Sequence, residues 1–266
     1  MTQPAETAQP PLAQDGSRSR QRQFYDEECD PEFEIARPHV CGRLYEYLIE
    51  HKFRSGLEAL GLDIAGMSVL EVCCGSGMMA EKFARAGARV TGTDFSPAAI
   101  ARARERARRY GFDATLLVAD AENLAFADHS FDLVAVHDGL HHLDNPERAI
   151  QEMARVARRG VLILDPAQAA MTRLAIRIGI TVEVEEAGNP VKRFDPKAVA
   201  TILHTEGFER IVFRRTLMYY PHEPYRWFAW FDNPVLFLLF RAAFTSINLA
   251  LGRWGNKLSL GATRSK

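Results

Sequence analysis

The stretch Val69–Ala80, VLEVCCGSGMMA, joins an apolar run ending in a carboxylate to a group of small residues and then to a helical pattern. The expected structure is a strand, a tight glycine loop and the first turn of a helix. That arrangement carries backbone N–H groups up to a ligand.

Downstream, the pattern alternates between strand and helix. Ser68–Val72 is the first expected strand and Met78–Ala86 the helix after it. Arg89–Thr93 is the second strand, with Asp94 at its end. Ser96 caps the next helix, Pro97 stands in its first turn and Gly111 follows its last. Thr115–Ala119 leads to Asp120, and Phe131–His137 is a fourth strand. Asn145 and Pro146 open a helix that Gly160 is expected to stop before a fifth strand, Val161–Leu164. Beyond Asp165, residues 167–193 carry the acids Glu183, Glu185 and Glu186 and read as an insertion. Asp195 and Pro196 open a helix that Gly207 closes. Arg210–Met218 suits a sixth strand and Lys257–Ala262 a seventh, with a strongly apolar insertion, residues 219–255, between them. Strands separated by helices of this length pair in parallel through right-handed crossovers. The expected class is α/β, with a mostly parallel seven-stranded sheet and helices on both faces.

Upstream, residues 1–22 are rich in Gln, Pro, Ala and Ser. They hold too few large apolar side chains to offset the entropy of ordering, so a disordered tail is expected. Leu44, Tyr47, Leu48, Phe53, Leu57 and Leu60 recur at helical spacing, which reads as a helical cap over residues 23–60, ahead of the main domain, 61–266.

The 266 residues carry a formal net charge of -1 and are 47% hydrophobic, enough for one large domain with a buried core. Near-neutral charge offers no footprint for nucleic acid. Cys29, Cys41, Cys73 and Cys74 form neither a secreted disulfide framework nor paired zinc-binding units, so no metal site is expected. No apolar segment follows Met1, so a signal peptide is not expected and a reduced, cytoplasmic setting is.

The Gly75–Ala80 turn alone suits nicotinamide and flavin enzymes as well as other nucleotide binders. Glu71 separates them. A carboxylate there repels a pyrophosphate in a partly desolvated site but suits a cationic ligand. Asp94 and Asp120 add acceptors for vicinal hydroxyls and for an exocyclic amine, at strand ends where open α/β sheets bind ligands.

Taken in order, VLEVCCGSG, VTGTDFS, VADAENLAF and FDLVAVHDGLHHL resemble the motifs of the class I S-adenosylmethionine (SAM)-dependent methyltransferases, in particular the small-molecule "type 11" group. The likeness runs from about Val69 to Asp165. It implies a Rossmann-like class I fold, SAM as cofactor, and methyl transfer to an oxygen, nitrogen or carbon nucleophile of a small hydrophobic molecule. It places Glu71 near the methionine amino group and the backbone of Cys73, Gly75, Ser76 and Gly77 under the ligand. Asp94, followed by Phe95, would bond the ribose hydroxyls, and Asp120 with Ala121 would recognise adenine. The fourth motif would lie beside the reactive methyl, with His137 in the cofactor shell and His141 facing substrate. Both histidines are catalytic candidates, because imidazole titrates near neutral pH and accepts a proton from a nucleophile. Tyr25 resembles the family's amino-terminal aromatic that closes over SAM.

Two departures stand out. Cys73 occupies a position where the family has Gly, and a side chain there limits backbone approach. Arg158, Arg159 and Gly160 replace the family's Lys-Pro-Gly-Gly turn. Blander readings remain beside the functional ones: Cys73 and Cys74 as small loop fillers, Cys29 and Cys41 without distinctive spacing, Tyr25 as packing, and the acids Glu183, Glu185 and Glu186 as a solvated run.

The segment Trp227–Leu251 contains WFAWF, VLFLLF and most of INLALG, interrupted by Asp232, Asn233, Pro234 and Arg241. A lid over an apolar pocket, an interfacial membrane helix giving peripheral membrane contact, and a dimer contact all fit it, with the lid ranked first. For the whole chain the alternatives are a non-catalytic SAM-binding or membrane-associated module and a nicotinamide-dependent oxidoreductase.

Overall fold

The computed structural model describes residues 23–169, 172 and 192–265. Its strands are β1 (Ser68–Val72), β2 (Arg89–Asp94), β3 (Ala114–Val118), β4 (Phe131–His137), β5 (Ala157–Pro166), β6 (Arg210–Thr216) and β7 (Lys257–Thr263). They form one sheet in the order β3-β2-β1-β4-β5-β7-β6. β7 is antiparallel to both of its neighbours, and the remaining pairs are parallel. The strand order reverses between β1 and β4, which opens a crevice at their carboxyl ends where open α/β sheets take ligands.

The helices are α1 (Pro31–Ala36), α2 (Gly42–Leu60), α3 (Met78–Arg85), α4 (Pro97–Tyr110), α5 (Pro146–Val156), α6 (Pro196–Thr205) and α7 (Pro234–Leu251). Their starts follow local chemistry. Ser96, Asn145 and Asp195 each accept a backbone N–H from the first turn of α4, α5 and α6, with Pro in the first turn of each. Gly111 ends α4 in the left-handed conformation, φ 63°.

Strand alternation distributes β1 between two layers. Leu70 and Val72 pack with Ile150 and Met153 of α5 and Leu203 of α6. Val69 faces the other way, into a core with Tyr45, Leu48 and Phe53 of α2 and Phe83 of α3. The fully buried Arg106 ties the amino-terminal cap to α4: its Nε donates to Glu81 Oε2 at 3.0 Å and its Nη1 to the Ile35 carbonyl at 2.9 Å.

Most expected elements shift at their ends by one or two residues, as β6 does in stopping at Thr216, and two boundaries have a visible cause. Gly160 does not stop a helix. α5 ends at Val156 and the strand begins at Ala157, because Gly160 lies where a Cβ would come 3.1 Å from Leu60 Cδ1 and 3.2 Å from the Ala262 carbonyl. β3 starts one residue early, since Ala114 pairs with Val90, and Ala119 instead donates its N–H to the Asp94 carbonyl just past the strand. The tail 1–22 and the acids Glu183, Glu185 and Glu186 lie outside the described residues, as does the side chain of Tyr25.

Candidate active site

The carboxyl ends of β1, β2, β3 and β5 bring four acids, Glu71, Asp94, Asp120 and Asp165, around one loop. Glu71, on β1, is buried, and its Oε2 has no hydrogen-bond partner among the described residues. Burial, reinforced by Asp94, pushes its carboxyl well above the usual range, although Arg106 and the Ala80 N–H act the other way. An unpartnered carboxylate oxygen in such a place is costly unless a cationic donor meets it.

Asp94 holds the loop itself. Its Oδ2 accepts the Gly75 N–H at 2.9 Å and its Oδ1 the Ser96 N–H at 3.0 Å. Burial raises its carboxyl in spite of those two donors. Each oxygen retains a lone pair for a further donor. Ser96 also donates its hydroxyl to Asp26, which draws the amino-terminal turn, Phe24–Glu28, to this end of the site. Phe95 follows Asp94 and is partly exposed. Asp120 Oδ1 accepts the Glu122 N–H at 2.9 Å, and Ala121 is buried beside it.

The loop turns on left-handed residues: Cys73 at φ 53°, Gly75 at φ 52° and Gly77 at φ 80°. At Gly75 a Cβ would meet nothing within 4 Å among the described residues, so this part of the loop faces open space between them. Cys73 adopts a conformation that costs a non-glycine residue roughly 1 kcal/mol. Its side chain turns toward the loop after β4, where Gly139 leaves it room: a Cβ on Gly139 would lie 2.5 Å from Cys73 Cβ. Burial and the charges of Asp94, Asp165, Asp120 and Glu71 push the Cys73 thiol well up, which keeps it protonated and unsuited to nucleophilic attack. Cys74 is buried against Gly92. Ser76 places its hydroxyl 3.4 Å from Glu34 of the cap, so its side chain belongs to that contact and its backbone to the loop.

The segment after β4 holds the histidines. His141 is buried, with Nδ1 2.7 Å from Asp165 Oδ1. Asp165 Oδ2 accepts the N–H groups of Gly139 and Leu140, both at 3.2 Å. A carboxylate fixed in this way holds the proton on Nδ1 and leaves Nε2 as the basic nitrogen. His137 differs. Its side chain is 8% exposed and its Nε2 has no hydrogen-bond partner among the described residues. Burial, aided by Lys52, holds its pKa well below the ordinary value, so it stays neutral.

Between the two histidines, Asp138 anchors a cluster drawn from distant parts of the chain. Its Oδ1 lies 2.7 Å from Lys52 Nζ of α2 and 3.4 Å from Lys257 Nζ of β7, and its Oδ2 accepts the Tyr220 hydroxyl at 2.5 Å. Burial opposes ionisation of Asp138, but Lys257 and Lys52 outweigh it and hold the carboxyl well below its usual range. Burial lowers Lys52 to about 8. Asp138, His141 and Asp165 together present ligand atoms within 4.8 Å of one another. Those of Asp138 and Asp165 are already engaged by Lys52, Tyr220 and His141, which gives this group a hydrogen-bonding role in the protein.

Sequence reasoning missed Asp165, Lys52, Tyr220 and Lys257. Asp165 had a signal: it stands near the carboxyl end of a strand, as Glu71, Asp94 and Asp120 do at theirs. The other three had none, since α2, the 219–255 insertion and β7 meet only in the folded chain. α7 packs along α2 through Tyr47 with Phe237, Phe240 and Phe244, and it is Tyr220 that reaches the site.

A family model described as "Methyltransferase domain" matches residues 70–164, the part that holds Glu71, Asp94 and Asp120. Residues 70–164 form a class I methyltransferase domain. The ubiquinone/menaquinone biosynthesis C-methyltransferase UbiE of Bdellovibrio bacteriovorus is 37% identical over 122 residues, which cover 44% of this chain and 52% of that protein. The phosphatidylethanolamine N-methyltransferase of Cereibacter sphaeroides is 38% identical over 104 residues, 38% of this chain and 51% of that protein. The chain thus spans about half the length of these curated relatives. Among solved structures, magnesium protoporphyrin IX methyltransferase from Synechocystis PCC 6803 with bound SAH superposes with a TM-score of 0.62 at 20% identity, over 93% of this chain and 100% of that one. At that identity the likeness is one of fold.

SAM is the cofactor of this domain class, and the residues present fit it. The orphaned Glu71 oxygen suits the ammonium group, the open side of Gly75 admits a ligand against the loop, and Asp94 and Asp120 have acceptors for hydroxyl and amine.

Proposed function

We propose that the chain transfers the methyl group of SAM to an oxygen, nitrogen or carbon nucleophile of a small hydrophobic molecule. The observation that carries the reading is the buried, unpartnered Glu71 Oε2 at the glycine loop, which calls for a cation and disfavours a pyrophosphate. When bound, SAM supplies a methyl group on a positively charged sulfur, already activated for in-line displacement. Glu71 would hold the ammonium, Asp94 the ribose hydroxyls, and Asp120 with Ala121 the adenine. Phe95 and His137 would complete the cofactor's surroundings, and Tyr25 would close over it.

His141 would serve as the base where the nucleophile carries a proton. His141 Nε2 would take the acceptor's proton as the acceptor's lone pair bonds the methyl carbon, the pair of the broken carbon–sulfur bond being left on the departing thioether. Asp165 holds the ring in the required tautomer and offsets the imidazolium charge. The enzyme's main contribution would be orientation, with the reacting atoms held about 3–3.5 Å apart. The chain is proposed to work in the cytoplasm on an acceptor that partitions into lipid, and peripheral membrane contact belongs to the same reading.

Incubation with methyl-labelled SAM and an organic extract, read by product mass and fragmentation, tests the proposal. A labelled small-molecule product is the expected result. Tight SAM binding with no transfer to any extract would identify a non-catalytic binding module instead. Binding of a reduced nicotinamide dinucleotide in place of SAM would overturn the cofactor assignment.

A further inference from the structure

We propose that α7, together with the turn Arg226–Asp232, is an in-plane docking surface for an anionic lipid bilayer. The inference deepens the peripheral membrane contact proposed above and rests on that part of the reading alone, not on methyl transfer.

α7 is apolar on every side. Its inner face, Phe237, Phe240 and Phe244, packs on Tyr47 of α2. A helix in that position on a water-soluble surface presents polar residues outward. Here the outward face carries Val235, Leu238, Leu239 and Leu249, which are 63%, 64%, 61% and 83% exposed. These residues fall on one stripe at helical spacing. By length and composition α7 with the turn after it could cross a bilayer, yet only 11% of its apolar window is buried in the protein.

The helix is held flat rather than across a membrane. Asn248 Oδ1 accepts the Leu217 N–H at 2.7 Å and its Nδ2 donates to the Leu217 carbonyl at 3.2 Å, which fastens α7 beside the end of β6. The chain then returns directly into β7 of the central sheet. Lying flat, α7 can sink only its outward stripe into the acyl boundary, as an interfacial helix does.

Charge selects the occupant. Arg226, Arg241 and Arg253 are exposed along the segment, against one acid, Asp232, whose carboxylate already accepts the Arg43 N–H at 2.9 Å. Arg241 lies over the rings of Tyr47 and Phe237, and Arg253 over Trp254. A second copy docking face to face would oppose like charges, whereas anionic headgroups complement them. Trp227, Trp230 and Trp254, all exposed, frame the apolar stripe with side chains suited to the headgroup level.

Those three are the chain's only tryptophans, so intrinsic fluorescence reports on this surface alone. The full chain is floated with phosphatidylcholine vesicles and with vesicles of equal parts phosphatidylcholine and phosphatidylglycerol. The expected result is flotation with the anionic vesicles, weaker with phosphatidylcholine alone or at high salt, and a blue shift of tryptophan emission on binding. The double substitution Leu238→Glu and Leu239→Glu alters only exposed side chains, so it should preserve the melting temperature and SAM affinity. It should lower vesicle partition by at least about tenfold. Absence of flotation with both vesicle types overturns the proposal, as does equal flotation of the variant. A concentration-dependent dimer that the variant dissociates, with no vesicle binding, would assign the face to a second copy and also overturn it. Vesicle binding without methyl transfer to any acceptor would sink the proposed function and leave the docking surface standing.

Discussion

His141 Nδ1 lies 2.7 Å from Asp165 Oδ1, and the other oxygen of that carboxylate is fixed by the N–H groups of Gly139 and Leu140. The imidazole is therefore oriented by a group that is itself immobile. Asp165→Asn keeps the shape but changes the donors. With its oxygen on the two N–H groups, the amide presents NH2 to Nδ1 and forces the proton onto Nε2, where it blocks base catalysis. For an acceptor that must lose a proton, kcat should fall about 100-fold or more in Asp165→Asn and in His141→Ala. SAM affinity should change little in either. Equal losses of turnover and cofactor affinity would count against a substrate-side role.

Glu71 carries a testable proton linkage. Burial and Asp94 raise its carboxyl in the cofactor-free protein, and an ammonium placed at Oε2 would draw the proton off. SAM binding should release protons, and affinity should rise with pH through the range where free Glu71 titrates. Calorimetry in buffers of different ionisation enthalpy measures the release. Glu71→Gln should abolish it and weaken binding, and an unchanged release in that variant would remove Glu71 from the ammonium's surroundings.

Asp94→Ala removes both an anchor of the loop and the proposed ribose acceptor. SAM affinity should drop at least about tenfold, the equivalent of ~1.4 kcal/mol. Stability should fall by about 1–3 kcal/mol as the Gly75 and Ser96 N–H groups lose their acceptor. Calorimetry and a denaturant titration separate the two effects. An unchanged affinity in folded protein refutes the ribose assignment.

Much of this was legible in the sequence because it is local. Strand positions follow from short apolar runs, helix starts from Ser96, Asn145 and Asp195 before Pro, and three of the acids from their places at strand ends. Gly160 misled because glycine serves two purposes: it ends helices, and it lets two backbones approach, which is its use here against Leu60 and Ala262. The cluster of Lys52, Asp138, Tyr220 and Lys257 could not be read, since its members are separated by dozens of residues and meet only through the order of the sheet. The sequence likewise offered no way to decide which side of α7 is covered. An all-round apolar helix has no periodicity that marks an inner face, and only Tyr47 and its neighbours on α2 reveal it.

Asp132 gives the fold a defined acid limb. Burial raises its carboxyl, but Arg158 and both the N–H and hydroxyl of Ser68 outweigh that and hold it down to about 2. A carboxylate depressed in the folded state stabilises the protein above its unfolded pKa, and that stabilisation is lost as pH falls through the folded value. Asp132 should therefore contribute fully above about pH 4 and lose its contribution between about pH 4 and pH 2. The size is roughly 1–2 kcal/mol, discounted because Arg158 is mostly exposed. Stability measured against pH should show a shallower acid limb in Asp132→Asn, and parallel curves for the two proteins would show that Asp132 is not its source.

Cys73 and Gly139 behave as a complementary pair, with the side chain on the loop after β1 matched by its absence after β4. Gly139 has φ -123°, which any residue adopts, so alanine there brings no backbone strain. Its Cβ would nevertheless lie 2.5 Å from Cys73 Cβ and 3.1 Å from Val136 Cγ2. Gly139→Ala should destabilise the protein by about 1–3 kcal/mol, the usual cost of overpacking. Cys73→Gly alone should be nearly neutral, because relief of the left-handed conformation at φ 53° offsets the lost packing. Combined, the two changes remove the closest clash, so the double variant should recover most of the loss, with a coupling of about 1 kcal/mol or more in a double-mutant cycle. Strict additivity would show that the Gly139 contact is governed by Val136 and that Cys73 stands in the loop for another reason.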